Sequence, residues 1–244
     1  MTAPATAPAL RVEQLAKRYG ACQALDGIDL LVHAGDTVAL VGANGAGKTT
    51  LIKCILDLVL PDAGRIEIFG MPNRDPVSRA RVAYLPERFS PPYYLKGGEF
   101  IEMTLTLGGN RYERASAERQ LGELGLEPAV LDRPVRQLSK GMTQKLGLAA
   151  NLLFARDLYI LDEPMSGLDP ASRIAVKSAL EHLHRDGRAI FFTSHVLADV
   201  HELASALIVL DHGAVRFDGA PAALCGRYNE PNLERAYLRC ITQK

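Results

Sequence analysis

The apolar run Thr37–Val41 ends in Gly42-Ala43-Asn44-Gly45-Ala46-Gly47-Lys48-Thr49, and no other feature of the 244-residue chain constrains its fold as tightly. Leu51, Ile52, Ile55, Leu58 and Val59 follow at helical spacing, so a helix starts where the glycines stop. The pattern is GxxxxGK[ST] in a strand–loop–helix setting, which marks a phosphate site. Glycines let the backbone curl until several N–H groups converge on phosphate oxygens. The helix adds its positive N-terminal end. Lys48 supplies a point charge toward the β- and γ-phosphates, and the Thr49 hydroxyl is a ligand for Mg²⁺. Gly42 to Thr49, with Thr50 beside them, form the expected phosphate-binding set.

A second element, Leu158-Tyr159-Ile160-Leu161-Asp162-Glu163, is an apolar strand ending in two acids. Carboxylates at a strand's carboxyl edge are costly unless they face solvent or a cation. Alone, such a strand end reads as a solvated turn. Beside Mg·ATP, Asp162 would help hold the metal and Glu163 would polarise the attacking water as general base.

Along the chain, Leu10–Leu15, Ile28–Val32 and Arg65–Phe69 read as strands. From about 88 to 155 helical patterns take over, at Phe100–Leu107, Tyr112–Leu124 and Gly141–Phe154. Strands then return at Leu158–Leu161, Ala189–Thr193, Ala206–Leu210 and Val215–Phe217, with helices at Ala171–His184 and Val196–Leu203. Strands alternating with helices after a glycine loop predict an α/β fold with a mostly parallel sheet, whose ligands sit at the strands' carboxyl ends. The expected organisation is one domain over 10–224, with the helical block inserted in it, and a helical tail over 225–244.

The formal net charge is zero, so charge gives no pointer to nucleic acid as the partner. Cys22, Cys54, Cys225 and Cys240 are scattered, without metal-ligand spacing, and read as reduced structural thiols. The N-terminus, MTAPATAPAL, lacks the basic and apolar regions of a signal peptide and reads as a flexible lead-in. No apolar run approaches the roughly 20 residues of a spanning helix.

At this point the chain resembles the nucleotide-binding subunits of ATP-binding-cassette transporters, from about Leu10 to Leu238. Leu138-Ser139-Lys140-Gly141-Met142 is similar to that family's signature loop and lies a little over 20 residues before Asp162. By itself Ser139 is a plausible helix N-cap. The resemblance implies that Ser139 and Gly141 contact the γ-phosphate of ATP bound to a second cassette, in a head-to-tail dimer. It implies that Tyr19 stacks on adenine, though alone it would be a core tyrosine. Glu87, in Leu85-Pro86-Glu87, holds a position that reaches Mg²⁺ and the attacking water. Ser166-Gly167-Leu168-Asp169 resembles the loop crossing to the partner's site. His195 matches the histidine that contacts the γ-phosphate. His33, His182, His184, His201 and His212 have no such context and read as surface residues.

Three positions depart from the common pattern: Lys140 replaces a glycine, Met142 a glutamine, and Glu87 a glutamine. These variants, with the ending Leu233-Glu234-Arg235-Ala236-Tyr237-Leu238, resemble the branch serving type-2 export permeases. The resemblance therefore implies a P-loop ATPase core with an N-terminal antiparallel β part and an inserted helical subdomain. It implies ATP and Mg²⁺ as cofactors, a membrane permease and a second ATPase subunit as partners, and a peripheral place on the cytoplasmic face of the membrane. Arg88–Leu95, with its paired prolines and tyrosines, is the expected docking segment. Two alternatives remain open: an importer ATPase, or a soluble cassette ATPase without a transport role.

Overall fold

The computed structural model describes residues 7–243; the first part of the expected lead-in, residues 1–6, lies outside them. The chain opens with a long antiparallel pair, β1 (Leu10–Tyr19) and β2 (Cys22–Val32), closed by a two-residue turn. Next come β3 (Thr37–Val41) and the helix after the glycine loop, α1 (Lys48–Ile55). Two further strands, β4 (Ala63–Ile68) and β5 (Met71–Pro72), join the first pair in a four-stranded antiparallel sheet of order β2-β1-β4-β5. This is the antiparallel part that the sequence led us to expect.

A helical turn, α2 (Pro76–Arg79), precedes β6 (Val82–Leu85). The helical block then follows as α3 (Gly97–Leu107), α4 (Arg114–Glu123) and α5 (Lys140–Leu153), with 3-10 turns at Pro128–Asp132 and Val135–Gln137. The chain returns through β7 (Leu158–Leu161), α6 (Pro170–Arg185), β8 (Ala189–Thr193), α7 (Leu197–Leu203), β9 (Ala206–Asp211) and β10 (Ala214–Gly219). Two helices, α8 (Pro221–Tyr228) and α9 (Leu233–Thr242), end it.

Six strands form the central sheet, in the order β10-β9-β3-β8-β7-β6, with every pair parallel except β9 and β10. A parallel sheet is covered on both faces, so its strands carry unbroken apolar runs. In β3, Val38 and Leu40 pack toward the antiparallel sheet and α1, while Ala39 and Val41 pack toward the helical side. Leu158 and Ile160 divide from Tyr159 and Leu161 in the same way. The C-terminal helices bury Leu224, Leu233, Ala236 and Cys240 in the helical-side core.

Three local expectations change. β1 runs on to Tyr19 and β2 starts at Cys22, where shorter strands were expected. The pairing shifts register between Val12 and Leu15 and again around Lys17, and Gln14 takes a positive φ of 48°. These bulges break the alternation by which a strand is recognised. The helix after the glycine loop stops at Ile55, because Asp57 turns the chain with a φ of 57°, and Leu58 is left exposed. β6 gave no clear signal in the sequence; it is an edge strand of four residues, too short for a period to register.

Candidate functional site

Four neighbouring strands of the central sheet, β3, β8, β7 and β6, deliver chemistry to one edge. The glycine loop leaves the end of β3, Glu87 follows β6, Asp162 and Glu163 follow β7, and His195 follows β8. Because these strands are parallel, their carboxyl ends coincide, and residues far apart in sequence meet there. The meeting place is a cleft of about 530 Å³ whose lining includes Lys48, Thr49, Glu87, Asp162, Glu163 and His195.

The loop's backbone explains its glycines. Gly47 has a φ of 111°, and a Cβ there would lie 2.5 Å from the Ala24 carbonyl oxygen. A Cβ on Gly42 would lie 2.3 Å from the Leu210 carbonyl oxygen. Neither position admits a side chain. No side chain caps α1, so the N–H groups of its first turn remain available to an anion. Lys48 Nζ donates to the carbonyl oxygens of Gly42 at 2.6 Å and Ala43 at 3.2 Å, which folds the ammonium back over the loop. Asn44, Gly45, Gly47 and Thr50 also line the cleft; Ala46 is buried beneath it, its N–H donating to the Ala43 carbonyl at 3.1 Å.

The two acids differ in setting. Asp162 is buried, and its Oδ1 accepts a hydrogen bond of 2.7 Å from the Thr193 hydroxyl. Burial pushes its carboxyl above the usual range and the charge of Glu87 adds to this, while the Thr193 bond, Lys48 and Lys53 pull the other way. A buried carboxylate that shares a cleft with a second acid, Glu87, fits a cation site. Thr49, Glu87 and Asp162 together offer hard oxygen donors on one cleft, the ligand type Mg²⁺ takes. Glu163 adopts a φ of 52°, uncommon for a residue with a side chain. Its N–H donates to Thr193 Oγ1 at 2.8 Å, and its Oε2 lies 2.8 Å from Nδ1 of the largely exposed His195. An acid at a cleft edge in contact with a histidine can take a proton from water.

Three expected residues lie elsewhere. Tyr19 is half exposed at the end of the β1–β2 hairpin, with the Lys17 ammonium 5.5 Å from its ring centre; its pairing partner Cys22, and not Tyr19, lines the cleft. Ser139 caps α5, its Oγ accepting from the Met142 N–H at 3.2 Å. Gly141 follows on the same turn, and a Cβ there would lie 3.4 Å from Leu168. Neither Ser139 nor Gly141 lines the cleft of its own chain. Ser166, from the expected crossing loop, does. The other five histidines are exposed, as expected, and all four cysteines are free thiols.

The sequence reads Cys22 as a structural thiol and offers no site role for Ala24 or Thr193. The first two reach the cleft because β2 folds under the glycine loop, where the Asp26 N–H and the Ala46 carbonyl both bond to Gly213. Thr193 had one available signal: it is the one residue with a hydroxyl in the apolar strand Ala189–Thr193, two places before His195.

Residues 25–166 match the family model described as ABC transporter. An ABC transporter ATP-binding protein of Nostoc sp. (strain PCC 7120 / SAG 25.82 / UTEX 2576) is 38% identical over 215 residues, covering 84% of this chain and 62% of its own length. The Nod factor export ATP-binding protein I of Ralstonia nicotianae (strain ATCC BAA-1114 / GMI1000) is 34% identical over 226 residues, 89% of this chain and 68% of its own. A solved structure described as the ATP binding subunit of an ABC transporter superposes with a TM-score of 0.83 at 30% identity, covering 95% of this chain and 98% of that one. The chain spans 62% and 58% of the first two curated relatives it matches.

Proposed function

We propose, because the chain belongs to the ABC transporter family, that it binds and hydrolyses ATP to drive export through a separate membrane permease. The observation that carries this reading is the convergence of Lys48, Thr49, Glu87, Asp162, Glu163 and His195 on one cleft from four strand ends. In the proposed reaction the loop's N–H groups and Lys48 bind the β- and γ-phosphates, with Tyr19 against the adenine. Glu163 takes a proton from a water; that oxygen bonds to the γ-phosphorus as the bond to the ADP oxygen breaks. His195, held at Glu163, contacts the γ-phosphate. Thr49, Asp162 and Glu87 would hold Mg²⁺, which when bound draws negative charge from the phosphate oxygens.

Ser139 and Gly141 stand apart from their own chain's cleft, and this supports the reading that they serve ATP held by a second copy in a head-to-tail dimer. Export is supported by the Nod factor export relative and by the Leu-Pro-Glu and Ser-Lys-Gly-Met variants. Among the described residues no helix is long and apolar enough to cross a membrane, and the reading assigns passage to the permease and places this subunit on the cytoplasmic face. The exposed Tyr93 and Tyr94, packed edge to face with ring centres 5.7 Å apart, suit the docking segment.

The test is capture of the tagged chain from host membranes in mild detergent. A stoichiometric polytopic membrane protein is expected. Recovery with ribosomes or nucleic acid alone would overturn the transport reading.

A further inference from the structure

Thr193, the last residue of β8, is fully buried between the two acids and has no chemical step of its own in the proposed hydrolysis. Its hydroxyl accepts from the Glu163 N–H at 2.8 Å and donates to Asp162 Oδ1 at 2.7 Å. A hydroxyl has a single proton to give, so these two bonds fix its orientation. The consequence for Glu163 is specific. Its backbone holds a φ of 52°, a conformation that persists only where surrounding bonds over-determine it. The N–H bond to Thr193 is one of those constraints, and it sets the direction in which the carboxylate leaves the chain toward His195.

Asp162 is fixed from the other side as well, because its N–H donates to the Leu85 carbonyl of β6 at 2.8 Å, two residues before Glu87. Thr193 therefore ties the strand that leads to His195 to the base and to the buried acid at once.

We propose that Thr193 is a positioning residue for hydrolysis, which sets the base Glu163 through its backbone and the metal-facing Asp162 through its carboxylate. The proposal rests on the hydrolysis reading above. A threonine that only satisfied a buried carboxylate would affect stability and leave the kinetics alone, so the two roles separate experimentally.

Thr193→Val keeps the shape and removes both hydrogen bonds, whereas Thr193→Ser keeps the hydroxyl. For Thr193→Val we expect kcat to fall about 100-fold with KM within about threefold, the size of loss that a small misplacement of a reacting group causes. Thr193→Ser is expected within about threefold of the parent. In a Glu163→Gln background Thr193→Val should add less than about threefold further loss, since groups acting as a unit are not additive. A second readout is independent of turnover: fluorescence of mant-ATP titrated with Mg²⁺. Thr193→Val should bind mant-ATP like the parent without Mg²⁺ and need severalfold more Mg²⁺ to reach the bound state.

Parental kcat and parental Mg²⁺ dependence in Thr193→Val would overturn the proposal, as would a Thr193→Ser variant as impaired as Thr193→Val. If Thr193→Val does not fold, by thermal melting, Thr193→Ala takes its place in the same comparison. A parent chain that binds mant-ATP but does not hydrolyse ATP would count against the hydrolysis reading instead, and the Mg²⁺ titration would still decide Thr193.

Discussion

Nδ1 of His195 lies 2.8 Å from Oε2 of Glu163, with the imidazole largely exposed and the Glu163 side chain largely buried. An imidazole whose Nδ1 donates to this carboxylate keeps Nε2 free for a second partner. His195→Ala is expected to lower kcat by about 10- to 100-fold. Its melting temperature should stay close to the parent's, because an exposed side chain contributes little to folding. Steady-state phosphate release and a melting curve check both halves.

Gly47 carries both a positive φ and a blocked Cβ direction, so Gly47→Ala cannot relax at a single atom. The obstructing atom is the Ala24 backbone carbonyl oxygen. A loss of about 2 kcal/mol or more in folding stability is expected, with loss of ATP binding. Urea unfolding and mant-ATP fluorescence measure the two effects.

Lys145 on α5 is buried, with Nζ donating to the Gly125 carbonyl at 3.2 Å and the Ser172 hydroxyl at 3.0 Å. Burial holds its ammonium below the ordinary value of 10.5, and Asp169 offsets this in part. Between the folded value and 10.5 the unfolded chain binds the extra proton, so this group makes stability rise with pH in that window. Lys145→Met is expected to lack that rise and to lie within about 1 kcal/mol of the parent at neutral pH. Parallel urea titrations from about pH 8 upward, read as the difference between the two proteins, isolate this residue.

Tyr93 and Tyr94 are exposed on the segment after Glu87 and contribute little to the core. Replacing both by alanine should leave stability within about 0.5 kcal/mol. ATP hydrolysis by the isolated chain should change little, while recovery of the permease from membranes should be lost. Unchanged recovery would move the docking surface elsewhere.

What could be read from the sequence was the chemistry that is continuous along the chain. Gly42 to Thr49 lie in one segment and carried their own signal, whereas Asp162 and Glu163, which follow one apolar strand, read as a solvated turn until set beside that loop. Glu87 and His195 had meaning only beside the other motifs, because their neighbours in space come from separate strands. β6 was missed for want of length, and the full extent of β1 was hidden by a bulge at Gln14 that defeats alternation. Thr193 was silent for a different reason. A threonine in a buried strand is ordinary by composition, and its role depends on β8 lying next to β7, a fact of sheet order.

The most direct test of the account is ATP hydrolysis by Glu163→Gln, measured together with nucleotide binding and size-exclusion chromatography in ATP. The variant is expected to bind ATP, to hydrolyse it about 100- to 10,000-fold more slowly than the parent, and to accumulate as a dimer. Parental turnover in Glu163→Gln would contradict the account, because the residue proposed to take the proton from water would then be dispensable.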